Sequence, residues 1–252
     1  MRVVQLGFEC NNACVFCAQG ALARLAPPVT DTAVEAALAG VRAGEPLAFV
    51  GGEPTLHPEL DRWIAAARRR GASQVLLQTN GRLLAVPGRA AALAAAGLTA
   101  LDLSLHGDTA PVHDHHTGVP GSFEQSCAGA RAGRSAGLAL GVTAVVTKSN
   151  LRHLSGVVRL AHRLGADAIR LAPAQAHGRA FAAAPRVLPA PQLARPHVAA
   201  ALRVAAELGL AGLLGDRVTP GLEQRFAGLG VAEPAPGGRA LASRATAPPL
   251  AL

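Results

Sequence analysis

Short apolar runs alternate along this chain with longer, alanine-rich segments of helical periodicity, and this alternation limits the folds that the chain can adopt. Six runs are predicted to form β-strands, at residues 2–7, 47–50, 74–78, 100–105, 139–146 and 168–171. Five helices are predicted between them, at residues 30–42, 58–70, 88–96, 122–136 and 150–164. Apolar strands that alternate with helices predict a parallel sheet with helices outside and right-handed connections. Six such units indicate a barrel-like arrangement.

The chain changes in composition beyond the sixth predicted strand. A further helix is predicted at residues 191–208, after a connection rich in proline and alanine. Residues 227–252 are again rich in proline and alanine and lack a periodic apolar face, so we expect a loosely ordered tail. The predicted organisation is therefore a core over residues 1–180, a C-terminal helical extension over 181–226 and the tail over 227–252.

Composition narrows the classes of partner. Half of the 252 residues are apolar, which is enough for a sizeable core. The net charge is +8, and nearly all of the positive charge comes from arginines scattered along the chain, since Lys148 is the single lysine. A nucleic-acid partner is not expected, because no stripe of arginine and aromatic residues is present. No apolar run is long enough to span a bilayer, and the N-terminus lacks a signal-peptide pattern. Four cysteines, three of them in one motif, predict a reducing, cytoplasmic setting.

Three cysteines with the spacing C-x3-C-x2-C follow directly after the first predicted strand. They are Cys10, Cys14 and Cys17, and an odd trio cannot pair off into disulfides. Thiolates hold iron–sulfur clusters, usually four to a [4Fe–4S] cube, so three leave one iron open to another ligand. The alternative is a structural zinc site, which needs a fourth Cys or His at a compatible spacing. Cys127 lies far along the chain on a predicted helix and is expected to be a small buried apolar residue.

The trio resembles the signature of the radical S-adenosylmethionine (radical SAM) superfamily, in which an aromatic residue precedes the third cysteine, as Phe16 does here. The resemblance implies a [4Fe–4S] cluster on Cys10, Cys14 and Cys17. It also implies that the open iron is chelated by the amino and carboxylate groups of S-adenosylmethionine (SAM). One electron from the cluster would break a carbon–sulfur bond of SAM and release a 5′-deoxyadenosyl radical. Phe16 is expected to pack near the adenine.

Three further segments match the superfamily at the ends of later predicted strands. Gly51, Gly52 and Glu53 begin a Gly-Gly-Glu-Pro turn, and the resemblance implies that its backbone and Glu53 hold the methionyl ammonium of SAM. Gly-Gly and Pro also occur in ordinary turns, so the motif alone does not indicate a cofactor site. Its position after the second predicted strand is what supports the cofactor role. Asn80 lies in a Thr-Asn-Gly turn and is expected to contact cofactor or substrate. Ser104, on the fourth strand, is expected near the ribose or carboxylate of SAM.

Other polar residues lie in and after the fourth predicted strand. Asp102, Ser104 and His106 alternate with leucines, so they are predicted to share the inner face of the barrel. Residues 113–116 are of types that bind metals, yet related enzymes carry a similar His-Asp-x-x-Thr-Gly segment with no metal role attached. We therefore expect a loop there, followed by a helix with Ser122 as its N-cap.

The resemblance implies a partial (β/α)6, TIM-like barrel with its chemistry at the C-terminal ends of the strands. It implies a radical SAM enzyme that receives an electron from a donor such as flavodoxin or ferredoxin and abstracts hydrogen from a small-molecule or peptide substrate. Two alternatives stay open. One is an activating enzyme that abstracts hydrogen from a glycine of a partner protein, and the other is a non-catalytic zinc or electron-carrier module.

Overall fold

Seven parallel β-strands form the framework of the protein in this computed structural model, which describes residues 1–20 and 26–215. The strands are β1 Arg2–Gln5, β2 Leu47–Val50, β3 Val75–Thr79, β4 Ala100–Ser104, β5 Ala139–Val146, β6 Ala168–Pro173 and β7 Ala211–Leu214. Each strand pairs in parallel with the next one along the chain. No pairing joins β7 back to β1 within the described residues, so the sheet is an open, partial barrel.

Helices connect the strands and cover one face of the sheet. They are α1 Asp31–Ala39, α2 Leu60–Arg69, α3 Arg89–Ala96, α4 Ala110–Thr117, α5 Ser122–Ser135, α6 Leu154–Arg163, α7 Gly178–Ala182, α8 Ala184–Val187 and α9 Pro191–Glu207. Single 3-10 turns occur at Pro54–Leu56, Arg82–Ala85 and Leu151–His153. Trp63 of α2 and Val157 of α6 lie in one apolar core with Phe49 and Leu101 of the sheet. Burial of these apolar faces is what holds the helices against the strands.

The two faces of the strands differ, as the two-residue period of a strand predicts. In β4, Leu101 belongs to the core beneath the helices, whereas Asp102 and Ser104 are buried polar residues. Thr143 Oγ1 donates to Asp102 Oδ1 at 2.5 Å, and Gln78 Nε2 donates to Asp102 Oδ2 at 3.1 Å. These bonds tie β3, β4 and β5 together on the inner face, just below the C-terminal ends of the strands.

The partial barrel predicted from the sequence is confirmed, and the structure adds elements that were not predicted: the strand β7 and the helices α4, α7 and α8. The strand β7 escaped prediction because its run of four residues is short and contains a glycine. Residues 110–117 form α4 where a loop was expected. The buried residues of α4 are His113, His116 and Thr117, so the helix has no apolar periodicity that the sequence could show.

The predicted C-terminal helix is present as α9, and it belongs to the barrel rather than standing apart. Ala201 and Val204 of α9 share the apolar core with Val157 of α6, and β7 extends the sheet beyond β6. Residues 216–226 of the predicted extension and the predicted tail at 227–252 lie outside the described residues. Within the described part, no helix combines the length and apolarity that crossing a membrane requires.

Candidate active site

A cavity of about 240 Å³ lies where several strands end. The segments that follow β1, β2, β3, β4 and β6 all contribute to its wall, so residues from distant parts of the sequence meet there. The structure brings together eight of the nine predicted site residues in this wall: Cys10, Cys14, Phe16, Cys17, Gly51, Gly52, Asn80 and Ser104. The ninth, Glu53, lies in the adjoining turn but does not line this cavity.

The cysteine loop, defined as residues 10–17, rests on the C-terminal end of α4. Ala13 N donates to Thr117 O at 2.7 Å, and Val15 N donates to His116 O at 3.0 Å. The side chain of His116 bonds Thr147 at 2.7 Å, which anchors α4 to the end of β5. The His-rich segment that resembled a metal motif thus forms the helix that carries the cysteine loop.

The aspartate of the same segment has a structural partner as well. Asp114 Oδ1 accepts hydrogen bonds from Phe123 N and Ser122 Oγ, both at 2.8 Å, and its Oδ2 accepts one from Gly121 N at 2.7 Å. A carboxylate at the first turn of α5 satisfies backbone donors that have no partner within the helix. The predicted N-cap role of Ser122 is wrong, because Gly121 is the N-cap and Asp114 supplies the capping carboxylate.

Asn80 and Arg82 hold the start of the cysteine loop. Asn80 Nδ2 donates to Asn11 Oδ1 at 2.6 Å. Arg82 Nη1 donates to the carbonyl oxygen of Asn11 and, at 2.9 Å, to Asn12 Oδ1. Asn80 was predicted to contact cofactor or substrate, and in the structure it also holds the cysteine loop through Asn11. Nothing in the sequence indicated Arg82, because its partners lie about 70 residues away along the chain.

The Gly-Gly-Glu-Pro turn is pressed against the segment that follows β1. Gly52 N donates to Gly7 O at 3.0 Å, and Glu53 N donates to Glu9 O at 2.7 Å. A Cβ atom at Gly52 would collide with the backbone oxygens of Phe8 and Glu9. Glycine is therefore required here by close backbone packing, which brings the turn to the edge of the cysteine loop.

The carboxylate of Glu53 is directed at neighbouring segments. Its Oε1 accepts hydrogen bonds from Thr55 N at 3.0 Å, Thr55 Oγ1 at 2.5 Å and Thr79 Oγ1 at 2.7 Å. Its Oε2 accepts one from Asn80 N at 2.7 Å. The side chain is 3% exposed, so these four donors compensate for the removal of its charge from water. Glu53 thus joins the end of β2 to the end of β3.

His106 and Phe16 form one side of the cavity. Their rings meet edge to face, with centroids 4.6 Å apart. His106 Nδ1 accepts a hydrogen bond from Val145 N at 3.2 Å, so the neutral ring carries its proton on Nε2. Asn150 Nδ2 donates to the carbonyl oxygen of His106 at 2.9 Å. His106 therefore has a fixed orientation at the wall of the cavity, in line with the predicted inner face of β4.

The model of the radical SAM superfamily matches residues 4–161 of this chain. The chain belongs to this superfamily. It is similar to an AdoMet-dependent heme synthase of Methanosarcina barkeri, with 35% identity over 168 residues, which are 65% of this chain and 47% of that protein. It is also similar to a PqqA peptide cyclase of Ruegeria pomeroyi, with 33% identity over 211 residues, which are 81% of this chain and 54% of that protein. The chain spans about half the length of these curated relatives.

Solved structures of other proteins share the fold. SuiB of Streptococcus suis bound to S-adenosylmethionine superposes with a TM-score of 0.67 at 15% identity, over 91% of this chain and 53% of SuiB. Native anSMEcpe with bound AdoMet gives a TM-score of 0.65 at 16% identity, over 84% of this chain and 62% of that chain. Membership in the superfamily implies SAM and an iron–sulfur cluster as cofactors.

Two thiols of the cysteine loop, those of Cys10 and Cys14, have pKa values raised by their surroundings. Burial raises the pKa of the Cys14 thiol to about 12, and the nearby Cys17 and Cys10 add to the effect. Burial is also the main cause that raises the pKa of Cys10. A metal centre binds thiolates, so its positive charge must displace these protons.

The donor set fits an iron–sulfur cluster better than a single zinc ion. Within residues 1–20 and 26–215, no three His, Cys, Asp or Glu side chains are grouped closely enough to hold one metal ion. A cluster takes one cysteine on each of several iron atoms, so its ligands stand further apart than those of one zinc. Cys10, Cys14 and Cys17 all line one cavity, so each can supply one thiolate to a cluster placed there.

A buried histidine beside the site predicts a loss of stability in acid. Burial lowers the pKa of His113, which is 1% exposed, from 6.5 to about 4. Between these pH values the unfolded chain binds a proton here that the folded chain does not. The free energy of unfolding should therefore fall as the pH drops from about 6.5 to about 4, by about 3 kcal/mol in total from this group.

Urea unfolding of His113→Asn across this range measures the effect. The asparagine oxygen can accept the hydrogen bond that His113 Nδ1 receives from His106 N at 3.1 Å, but it does not titrate. The pH dependence should become shallower by about one proton. An equal slope in wild type and His113→Asn would contradict the prediction.

Proposed function

We propose that this radical SAM protein holds a [4Fe–4S] cluster on Cys10, Cys14 and Cys17 and reductively cleaves SAM to start radical chemistry on a substrate. The observation that carries the proposal is the meeting of the cysteine loop, the Gly-Gly-Glu-Pro turn and Ser104 around one cavity in a chain of this superfamily. When bound, the cluster supplies one electron to a carbon–sulfur bond of SAM, and the 5′-deoxyadenosyl radical that results abstracts hydrogen from the substrate.

The residues of the chain bind, orient and shield these groups. The backbone at Gly51 and Gly52 lies open to the cavity and is suited to the methionyl part of SAM. Ser104 offers a hydroxyl group from the inner face of β4, and Phe16 offers an apolar ring to the adenine. The hydrogen-bonded layer around Asp102 closes the barrel below the cavity, which keeps water away from a reactive radical.

The relatives support two classes of substrate. One matched protein is named a PqqA peptide cyclase, and SuiB has been solved with its precursor peptide SuiA. Another matched protein is named a heme synthase. We therefore propose a peptide or a small molecule as substrate and a flavodoxin or ferredoxin as electron donor. The chemistry is assigned to the core over residues 1–180, and the described part of the extension over 181–226 supports this core through α9 and β7.

Slow cleavage of SAM without substrate tests the proposal. The anaerobically reconstituted protein, reduced with dithionite and incubated with SAM, is expected to release 5′-deoxyadenosine, measured by chromatography. Uncoupled cleavage needs only the cluster, one electron and SAM, so the identity of the substrate does not limit the experiment.

The matched control is the protein in which Cys10, Cys14 and Cys17 are all alanine. It keeps the turn and Ser104 but loses the source of electrons, so it should release no 5′-deoxyadenosine. If the wild type holds a cluster and SAM but stays at the level of this control, cleavage without substrate does not occur. A protein that is equally silent with candidate peptides and small molecules would support the non-catalytic alternative.

A further inference from the structure

The segment that follows β6 holds the end of the cysteine loop, away from Asn80 and Arg82. Arg179 N donates to the carbonyl oxygen of Cys17 at 3.0 Å. Gly178 has a φ of +53°, and a Cβ atom there would collide with the backbone oxygens of Cys17 and Ala18. The chain after β6 therefore packs backbone to backbone against the loop, and this contact requires glycine.

The guanidinium group of Arg179 reaches back over the same loop. Its Nη1 donates to the carbonyl oxygen of Cys14 at 3.2 Å. A Cβ atom at Gly20 would lie 2.8 Å from Arg179 Nε, so the side chain runs closely along the backbone at Gly20. Two of the three cysteines thus have their carbonyl groups bonded by Arg179, one by its backbone and one by its side chain.

Arg179 also differs in charge from the rest of the cavity wall. Of the described residues that line the cavity, it alone has a side chain that is always charged. The other lining residues are apolar, neutral and polar, or are the cysteines and His106. A cluster on three thiolates becomes more negative by one charge when it is reduced. The fixed positive charge of Arg179, which lies against the cysteine loop, favours the reduced form of the cluster. Charges and hydrogen bonds near a cluster set its reduction potential.

We propose that Arg179 is a positioning residue of the cluster site, which fixes the cysteine loop through the Cys14 carbonyl and raises the reduction potential of the cluster. The inference rests on the proposed function. The electron that reduces the cluster comes from an external donor, and Arg179 itself undergoes no chemical change. The arginine makes reduction of the cluster by this donor easier, and it lowers the driving force for the later transfer of the electron to SAM by the same amount.

Redox titration of the reconstituted protein without SAM tests the proposal, with the signal of the reduced cluster followed by electron paramagnetic resonance. Arg179→Gln keeps a side chain that can donate to a carbonyl but removes the charge, so its midpoint potential should be more negative than that of wild type. Arg179→Lys keeps the charge on a shorter group, so its potential should stay close to wild type. Arg186→Gln, at an exposed position on α8 outside the cavity, changes the net charge equally and should leave the potential unchanged.

A second measurement follows the loop itself. The loss of iron to a chelator should be faster in Arg179→Gln than in wild type, with Arg179→Lys between them, because the Cys14 carbonyl loses a charged donor. Equal potentials in wild type and Arg179→Gln, both with a full cluster, would overturn the role of Arg179 and leave the proposed function intact. A shift in Arg179→Lys as large as that in Arg179→Gln would also overturn it, since the charge would then not be the cause. A wild-type protein that binds no cluster would refute both the inference and the proposed function.

Discussion

Replacing Cys10, Cys14 and Cys17 together with alanine is expected to lower the iron bound after anaerobic reconstitution from about four atoms per chain to background. The three thiols line the same cavity and supply all the protein ligands that the proposed cluster has. Iron and sulfide analysis measures the loss, and the visible absorption of the cluster should disappear with it. Because no protein ligand remains, this is the largest effect that any change in the site should have.

The fourth cysteine provides a matched control for this experiment. Cys127 is 5% exposed on α5, packs within the apolar core and does not line the cavity. Cys127→Ala should therefore retain the full iron content. The triple variant should keep its fold, because α4, Asn80 and Arg82 hold the loop through groups other than the thiols. Iron and sulfide in the triple variant at the level of Cys127→Ala would show that the cluster assignment is wrong.

The partial barrel could be predicted from the sequence, apart from β7 and α4, because most of its elements follow from local patterns. Apolar runs and helical periods located the strands and helices, and a parallel sheet places the ends of all its strands at one edge. That single rule brings the cysteines, Gly51 and Gly52, Asn80 and Ser104 together, although up to 94 residues separate them along the chain. The alternation of Asp102, Ser104 and His106 with leucines predicted the inner face of β4 by the same kind of local rule.

The supports of the site were not predictable, because they depend on contacts between distant segments. Arg82 and Arg179 stand in no motif, and only the folded chain shows that both bond backbone oxygens of the cysteine loop. The helix α4 was not predicted, because its buried residues include histidines and so give no apolar periodicity in the sequence. The metal-binding residue types of this segment therefore did not indicate its structural role. The helix α4 supports the cysteine loop, and its Asp114 caps α5.

Glu53 is the residue for which sequence and structure lead to different experiments. Its motif predicts a direct bond to the ammonium group of SAM, whereas its carboxylate is bonded to Thr55, Thr79 and Asn80. We expect Glu53→Ala to weaken SAM binding about 10- to 100-fold while the cluster is retained. Loss of the carboxylate leaves buried donors unpaired, so the free energy of unfolding should also fall, by about 2–3 kcal/mol. Equilibrium binding of SAM and urea unfolding measure the two effects.

Thr55→Val separates an indirect role of Glu53 from a direct one. Thr55 is buried and does not line the cavity, so it can affect SAM only through the position of Glu53 and its turn. The valine removes the hydroxyl donor at 2.5 Å but leaves the carboxylate in place. If Glu53 acts by holding the turn, Thr55→Val should lower the affinity for SAM several-fold. If Glu53 bonds the ammonium directly, Thr55→Val should bind SAM as wild type does while Glu53→Ala does not. An unchanged affinity in Glu53→Ala would remove Glu53 from the site in either role, and the glycines of the turn would then hold the methionyl group through their backbone alone.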